Sequence, residues 1–332
     1  MTMAQKWFHN RECWTIENAD IRVTVIKSGG HIAALVLKNG PELNPLWVQD
    51  RPTIDSERYD PAIHGTTYGT GPEARLLCGL LGHNLCFPYW GDPSGAEHNA
   101  GMTYHGETNV VRWEEVQCSG DSLVLTALLP ESRLRFTRTL QCSGQSVLCE
   151  SVAENLSAWD RPVGWCEHVT FGPPFLEPGV TRFEASVTRG FRTGGNSDDA
   201  FSWPEGRGTI PCDLSRCSRI QHSQLVNSFL VDPVQEVGRF AATHPGHGLA
   251  VEYEFRRQEF PWLNVWENYE GQLLTRGMEF SNTPVHGTMK RLMQTPTIWG
   301  NPVYDWLDAK SKLVKRFKAT IKRVPESSRL KV

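Results

Sequence analysis

Apolar residues recur at every second position in short runs along this chain, and Gly, Pro, Asn or Ser breaks each run before it reaches helical length. Ile21-Arg-Val-Thr-Val-Ile26 alternates, and His31-Ile-Ala-Ala-Leu-Val-Leu37 follows a Gly-Gly turn. The runs 123–129, 134–140, 146–152, 182–187, 248–255 and 262–266 have the same character. A period of two is that of a strand with one face in a core. Many short strands separated by turn residues predict an all-β antiparallel sandwich or barrel. Two stretches break the rhythm. Residues 41–104 are rich in Pro, Gly, His and Asp, and residues 188–218 in Gly, Ser, Asp and Arg. Both are too long to be idle connectors and are expected to rim a binding cleft.

With 332 residues, 39% apolar and 21% charged, the chain can bury a large core. No break in composition marks a second unit, so one domain over 1–332 is expected. A net charge of −3 gives no electrostatic case for nucleic acid. The charge is uneven: residues 310–332 hold nine Lys or Arg and a single acid, Glu326. Within Ser311–Arg323, Leu313, Phe317 and Ile321 fall at i, i+4 and i+8, which predicts an amphipathic helix inside a basic tail at about 305–332. The segment is expected either to dock as a terminal helix on an acidic body or to be a solvated tail. There is no leader-like start and no apolar run of the ~18 residues a membrane span needs, so a cytoplasmic protein without a membrane partner is expected. Nine Cys are scattered without a Cys-x-x-Cys pair, and no HxH or HExxH spacing appears, so reduced thiols and no metal centre are expected.

Three clusters carry possible chemistry. The first is Leu80-Leu-Gly-His-Asn-Leu-Cys-Phe-Pro-Tyr-Trp-Gly91, followed by His105-Gly106 and Trp113. In the second, a strand ending at Glu154-Asn155 is followed by a polar turn and then Trp165-Cys-Glu-His168. Alternation puts Glu167 and His168 on opposite faces, and His168 is the one assigned to the cleft. An imidazole suits proton transfer near neutrality because its ordinary pKa lies near 6.5. The third is Val265-Trp-Glu267, a loop, and Arg276-Gly-Met-Glu279. A glutamate between Met278 and Phe280 is expected to be partly desolvated, ionised at pH 7 yet able to accept a proton.

The order of these clusters resembles the galactose mutarotase-like (aldose 1-epimerase) superfamily. The Cys-Phe-Pro loop followed by His-Gly and Trp is nearest its hexose-6-phosphate mutarotase branch. The resemblance spans about residues 20–300 and is closest in the three clusters. It implies a large antiparallel β-sandwich with few helices, to which the tail would add a C-terminal helix. It also implies cofactor-free exchange of sugar anomers by acid–base ring opening. Glu279 would be the base at O1, His168 the acid at O5, and His105 a hydrogen-bonding group near the ring oxygen. His83, Asn84, Trp90, Arg75, Trp266 and Glu267 are the expected sugar contacts. Glu267 and Glu270 are rivals of Glu279, and Asp198 or Asp199 lies in a loop suited to holding the anomeric hydroxyl. The chain departs from the phosphate-sugar branch at Leu80, where that branch has an Arg; Arg75 could stand in. The partner is a small sugar, taken up by a monomer or homodimer. The other reading that the same residues allow is a non-catalytic carbohydrate-binding protein.

Overall fold

The computed structural model describes residues 6–208, 211–220, 225–270 and 273–324. Two antiparallel sheets dominate. The larger has eleven strands in the order Lys6–Phe8, Arg11–Glu17, Ile21–Ile26, Ile32–Leu37, His83–Cys86, Cys166–Phe171, Leu273–Ser281, Trp262–Glu270, Leu225–Val231, Val187–Arg192 and Phe201–Ser202. The smaller has eight, in the order Arg182–Ala185, Val237–His244, Leu249–Arg256, Lys312–Arg323, Ser146–Asn155, Leu134–Ser143, Ser122–Leu129 and Glu114–Cys118. Every alternating run named above falls on these strands to within a residue at its start, except that 182–187 is divided: Arg182–Ala185 joins the small sheet and Val187 begins a strand of the large one. The four α-helices among the described residues are four to eight residues long.

The facing sides of the two sheets meet in one apolar core. Phe280 of the large sheet stacks on Phe255 of the small one, with ring centroids 4.5 Å apart and planes within 5°. Phe240, Tyr253, Phe260 and Phe317 surround that pair. The other face of the large sheet carries the cleft described below. Consequently its central strands are buried on both sides: all six residues of Cys166–Phe171 are buried.

One expectation fails. Lys312–Arg323 is a strand and not a helix, and it pairs with Ser146–Asn155 on one side and Leu249–Arg256 on the other. Residues four apart share a face in both a helix and a strand, so Leu313, Phe317 and Ile321 could not distinguish them. Ala319 could. It lies between Phe317 and Ile321 on the same buried face, which only a period of two produces. The basic charge is met by acids on the neighbouring strands, with Lys318 paired to Glu254, Lys322 to Glu252 and Arg316 to Glu150. Residues 325–332 of the expected tail lie outside the described residues.

Candidate active site

The site grows from strand register. His168 pairs with Asn84 on one side and with Glu279 on the other, Glu279 pairs with Asn264, and Asn264 pairs with Ser228. Directly opposed residues share a face of the sheet. A polar row therefore crosses five adjacent strands on the face turned away from the aromatic core. Asn84, His168 and Glu279 line a cleft of about 620 Å³. Asn264 and Ser228 continue the row as a bonded buried pair, the Ser228 hydroxyl donating to Asn264 Oδ1 at 2.7 Å.

His168 Nε2 and Glu279 Oε1 lie 3.1 Å apart, and the side chains are 8% and 1% exposed. Nδ1 of the same imidazole lies 3.1 Å from Thr170 Oγ1. Burial acts on both partners in the same direction, against charge. It pushes the Glu279 carboxyl up to about 8, against weaker pulls from Cys166 and Trp90, and pushes His168 down to about 3. The pair therefore holds one proton at neutral pH, on the carboxyl. The expected ionised glutamate is corrected in this respect, and so is the reason for its burial. Met278 and Phe280 point into the core; Glu279 is enclosed instead by Cys166, Trp90 and Trp266 on the cleft side.

His105 arrives from a loop. Its φ of 64° is a conformation that non-glycine residues rarely hold. Gly106 follows at φ 82°, and a side chain there would strike the Phe87 carbonyl. The backbone of Glu107 donates to that same carbonyl. The His-Gly pair is thus docked on the Cys-Phe-Pro loop by main-chain contact, which is why the two motifs occur together. The Gly91 N–H donates to His105 Nδ1 at 2.9 Å. Burial holds His105 neutral, well below its ordinary pKa. Its proton therefore sits on Nε2, available to a ligand. The ring stacks near Trp90 and lies 5.6 Å from His168.

Of the expected residues, the structure brings together Glu279, His168, His105, Asn84, Trp90 and Trp266 around one cleft. It does not bring in His83, Glu267 or Arg75. His83 faces the core, where Glu167 and Tyr253 hold its two ring nitrogens. Glu267 also faces the core and is bonded to Arg276. Each is one residue away from a cleft residue, Asn84 or Trp266, and a single step along a strand reverses the face. Arg75 donates to the Ser56 carbonyl at 3.3 Å and does not line the cleft, although Leu80 does. Neither Asp198 nor Asp199 lines it; Glu73 and Asp92 do. The side chain of Glu270 lies outside the described residues.

Sequence reasoning missed His286, Tyr104, Arg192 and Arg291. His286 stands edge-on to Trp90, and its Nε2 lies 3.2 Å from the Tyr104 hydroxyl. The Val285-His-Gly287 text resembles the His105-Gly106 text and was the available signal. The arginines carried none, because a surface arginine looks the same in sequence wherever the chain takes it.

No family model matches the chain, and no curated protein matches it by sequence. Solved structures match over nearly its whole length. A galactose mutarotase-like protein from Clostridium acetobutylicum superposes with a TM-score of 0.68 at 12% identity, over 96% of this chain and 98% of that one. A galactose mutarotase related enzyme from Lactobacillus acidophilus gives 0.62 at 13% identity, over 95% and 98%. A galactose mutarotase-like protein from Lactobacillus casei gives 0.62 at 13%, over 93% and 100%. Identities this low speak for the backbone alone, and the architecture they share with this chain is the galactose mutarotase-like β-sandwich fold.

Proposed function

We propose that the protein is an aldose 1-epimerase-like isomerase that interconverts the α and β anomers of a sugar. The observation that carries this reading is the buried His168–Glu279 pair, 3.1 Å apart on the floor of a sugar-sized cleft. Mutarotation needs one group to take the O1 proton while another protonates O5. Transfer of the shared proton from Glu279 to His168 makes the carboxylate a base and the imidazolium an acid. Glu279 then removes the proton from O1 as C1=O1 forms, C1–O5 breaks, and His168 delivers its proton to O5. Rotation about C1–C2 and closure by the reverse steps gives the other anomer, with the pair again holding one proton. Nε2–H of His105 donates to the ring-oxygen side. Trp90 and Trp266 offer flat faces to the sugar, and the unpartnered Oδ1 of Asn84 accepts from a hydroxyl. The reaction needs no cofactor.

Anomer exchange by NMR saturation transfer, over aldoses and their 6-phosphates, tests this with wild type and Glu279→Gln side by side. Acceleration by the wild type that is lost in the variant is the expected result. Binding without acceleration would instead give the carbohydrate-binding reading on the same fold.

A further inference from the structure

Glu279 is able to reach His168 only because the position two residues before it on the same face of the strand is empty. A Cβ built on Gly277 would lie 2.6 Å from Glu279 Oε1 and 3.1 Å from Trp266 Cβ. Gly277 pairs with Thr170 on one side and Trp266 on the other, in the row next to the catalytic one. Its backbone is ordinary extended strand, so conformational freedom is not the reason for a glycine here. What the glycine provides is space, and the atom that fills the space is a carboxyl oxygen. The other oxygen is held from the opposite side, with the Cys166 thiol donating to Oε2 at 3.9 Å. Cys166 is wholly buried beside Cys86, its register partner. Of the three atoms such a Cβ would meet, only the one under 3.0 Å must move outright, and it is the far end of a flexible side chain. A methyl group added there moves the carboxyl far more easily than it moves the sheet.

We propose that Gly277 and Cys166 are positioning residues that seat the Glu279 carboxyl against His168, Gly277 by leaving the space for Oε1 and Cys166 by donating to Oε2. The role of the pair in turnover rests on the function proposed above; the seat itself does not. In Gly277→Ala the strand folds and the carboxyl swings away from His168 towards the open part of the cleft, where water reaches it. In Cys166→Ala the carboxyl keeps its place and loses a donor that favours its charged form.

The experiment titrates Glu279 by ¹³C NMR in glutamate-labelled protein, with the signal assigned by its absence in Glu279→Gln, and measures anomer exchange on the same samples. Gly277→Ala is expected to lower kcat by about 100-fold, the order of loss that an ångström of misplacement produces, with KM little changed. Its Glu279 midpoint falls towards the ordinary carboxylate range. Cys166→Ala is expected to raise the midpoint, and Cys166→Ser, which keeps a donor, to restore it. A Gly277→Ala protein with wild-type kcat and midpoint overturns the proposal. So does one that loses activity while the midpoint stays fixed, which would mean a merely structural role, and so does a Cys166→Ala midpoint that does not move. If the wild type exchanges no sugar, the proposed function fails, while the titrations still decide whether the seat exists.

Discussion

At the residue scale, the site depends on how burial divides one proton between two groups. Burial pushes the Glu279 carboxyl up to about 8 and the His168 imidazole down to about 3, so the pair is expected to hold one proton between those values. In the proposed reaction, ring opening needs that one proton. As pH rises through about 8 the pair empties and nothing remains to protonate O5. The exchange rate is therefore expected to fall about tenfold per pH unit above 8 and to stay level from there down to about pH 5. A profile that is still rising at pH 9 would rule out this proton count. The same burial acts on stability. The unfolded Glu279 carboxyl has the ordinary value of 4.5 and the folded one about 8. Between these values the folded state holds a proton that the unfolded state releases, so stability falls as pH rises, and above 8 the whole penalty is present. Glu279→Gln cannot ionise and is expected to be more stable than wild type at pH 9 by roughly 2–5 kcal/mol, since each tenfold change in proton affinity is worth about 1.36 kcal/mol. The gain at pH 5 should be small. Urea unfolding at the two pH values checks this; an equal gain at both would contradict it.

At the element scale, the strand Lys312–Arg323 shows what a one-residue change of face means. Phe317, Ala319 and Ile321 are buried, whereas Lys318 lies on the outer face and pairs with Glu254. Ala319→Asp would place an unpaired carboxylate inside the sandwich and is expected to cost at least about 3 kcal/mol. Lys318→Ala, which removes an exposed ion pair, is expected to cost under about 1 kcal/mol. Equal urea midpoints for the two variants would refute the register. The Cys166–Phe171 strand obeys the same rule with chemical consequences. Alternation puts Glu167 and His168 on opposite faces, and the structure has His168 in the cleft and Glu167 in the core. For His83 and Glu267 the register was off by one residue. His83–Cys86 is buried on both faces and Trp262–Tyr269 is buried or half-buried throughout, so no alternation of polar and apolar residues marked which face met the cleft.

At the scale of the whole molecule, the core between the sheets is not purely apolar. Directly behind His168, Glu167 bonds Arg138 of the opposite sheet at 2.5 Å, His83 at 2.9 Å and the Trp165 indole at 3.1 Å. Arg138 also donates to Ser151, and the Tyr253 hydroxyl lies 3.3 Å from His83. Each member of this cluster leans on a neighbour from another strand. Removing one strands a buried charge, so Arg138→Met is expected to cost about 3–5 kcal/mol. Glu167→Leu combined with Arg138→Met, which removes both charges, should recover part of that loss. A single variant as stable as wild type by thermal or urea unfolding would show that the pair contributes nothing.

The sequence by itself determined the class of fold and named three of the residues at the centre of the cleft. Alternation with a period of two is local, and each strand in the runs 21–26 to 262–266 carries it in its own residues. His105, His168 and Glu279 were legible because each sits in a distinctive short text. Only the tertiary structure decided the rest. Leu313, Phe317 and Ile321 fit two periods, and it was pairing with strands distant in sequence, Ser146–Asn155 and Leu249–Arg256, that made their segment a strand. His286, Tyr104, Arg192 and Arg291 enter the cleft along paths that depend on the assembled sheets. The proton affinity of Glu279 is raised by its burial in the assembled cleft, against the pull of Cys166 and Trp90, and not by Met278 and Phe280 beside it in sequence, which face the core. The physical reason is the same in each case: a strand's period is written along the chain, whereas burial and proton affinity are sums over neighbours that only folding brings together.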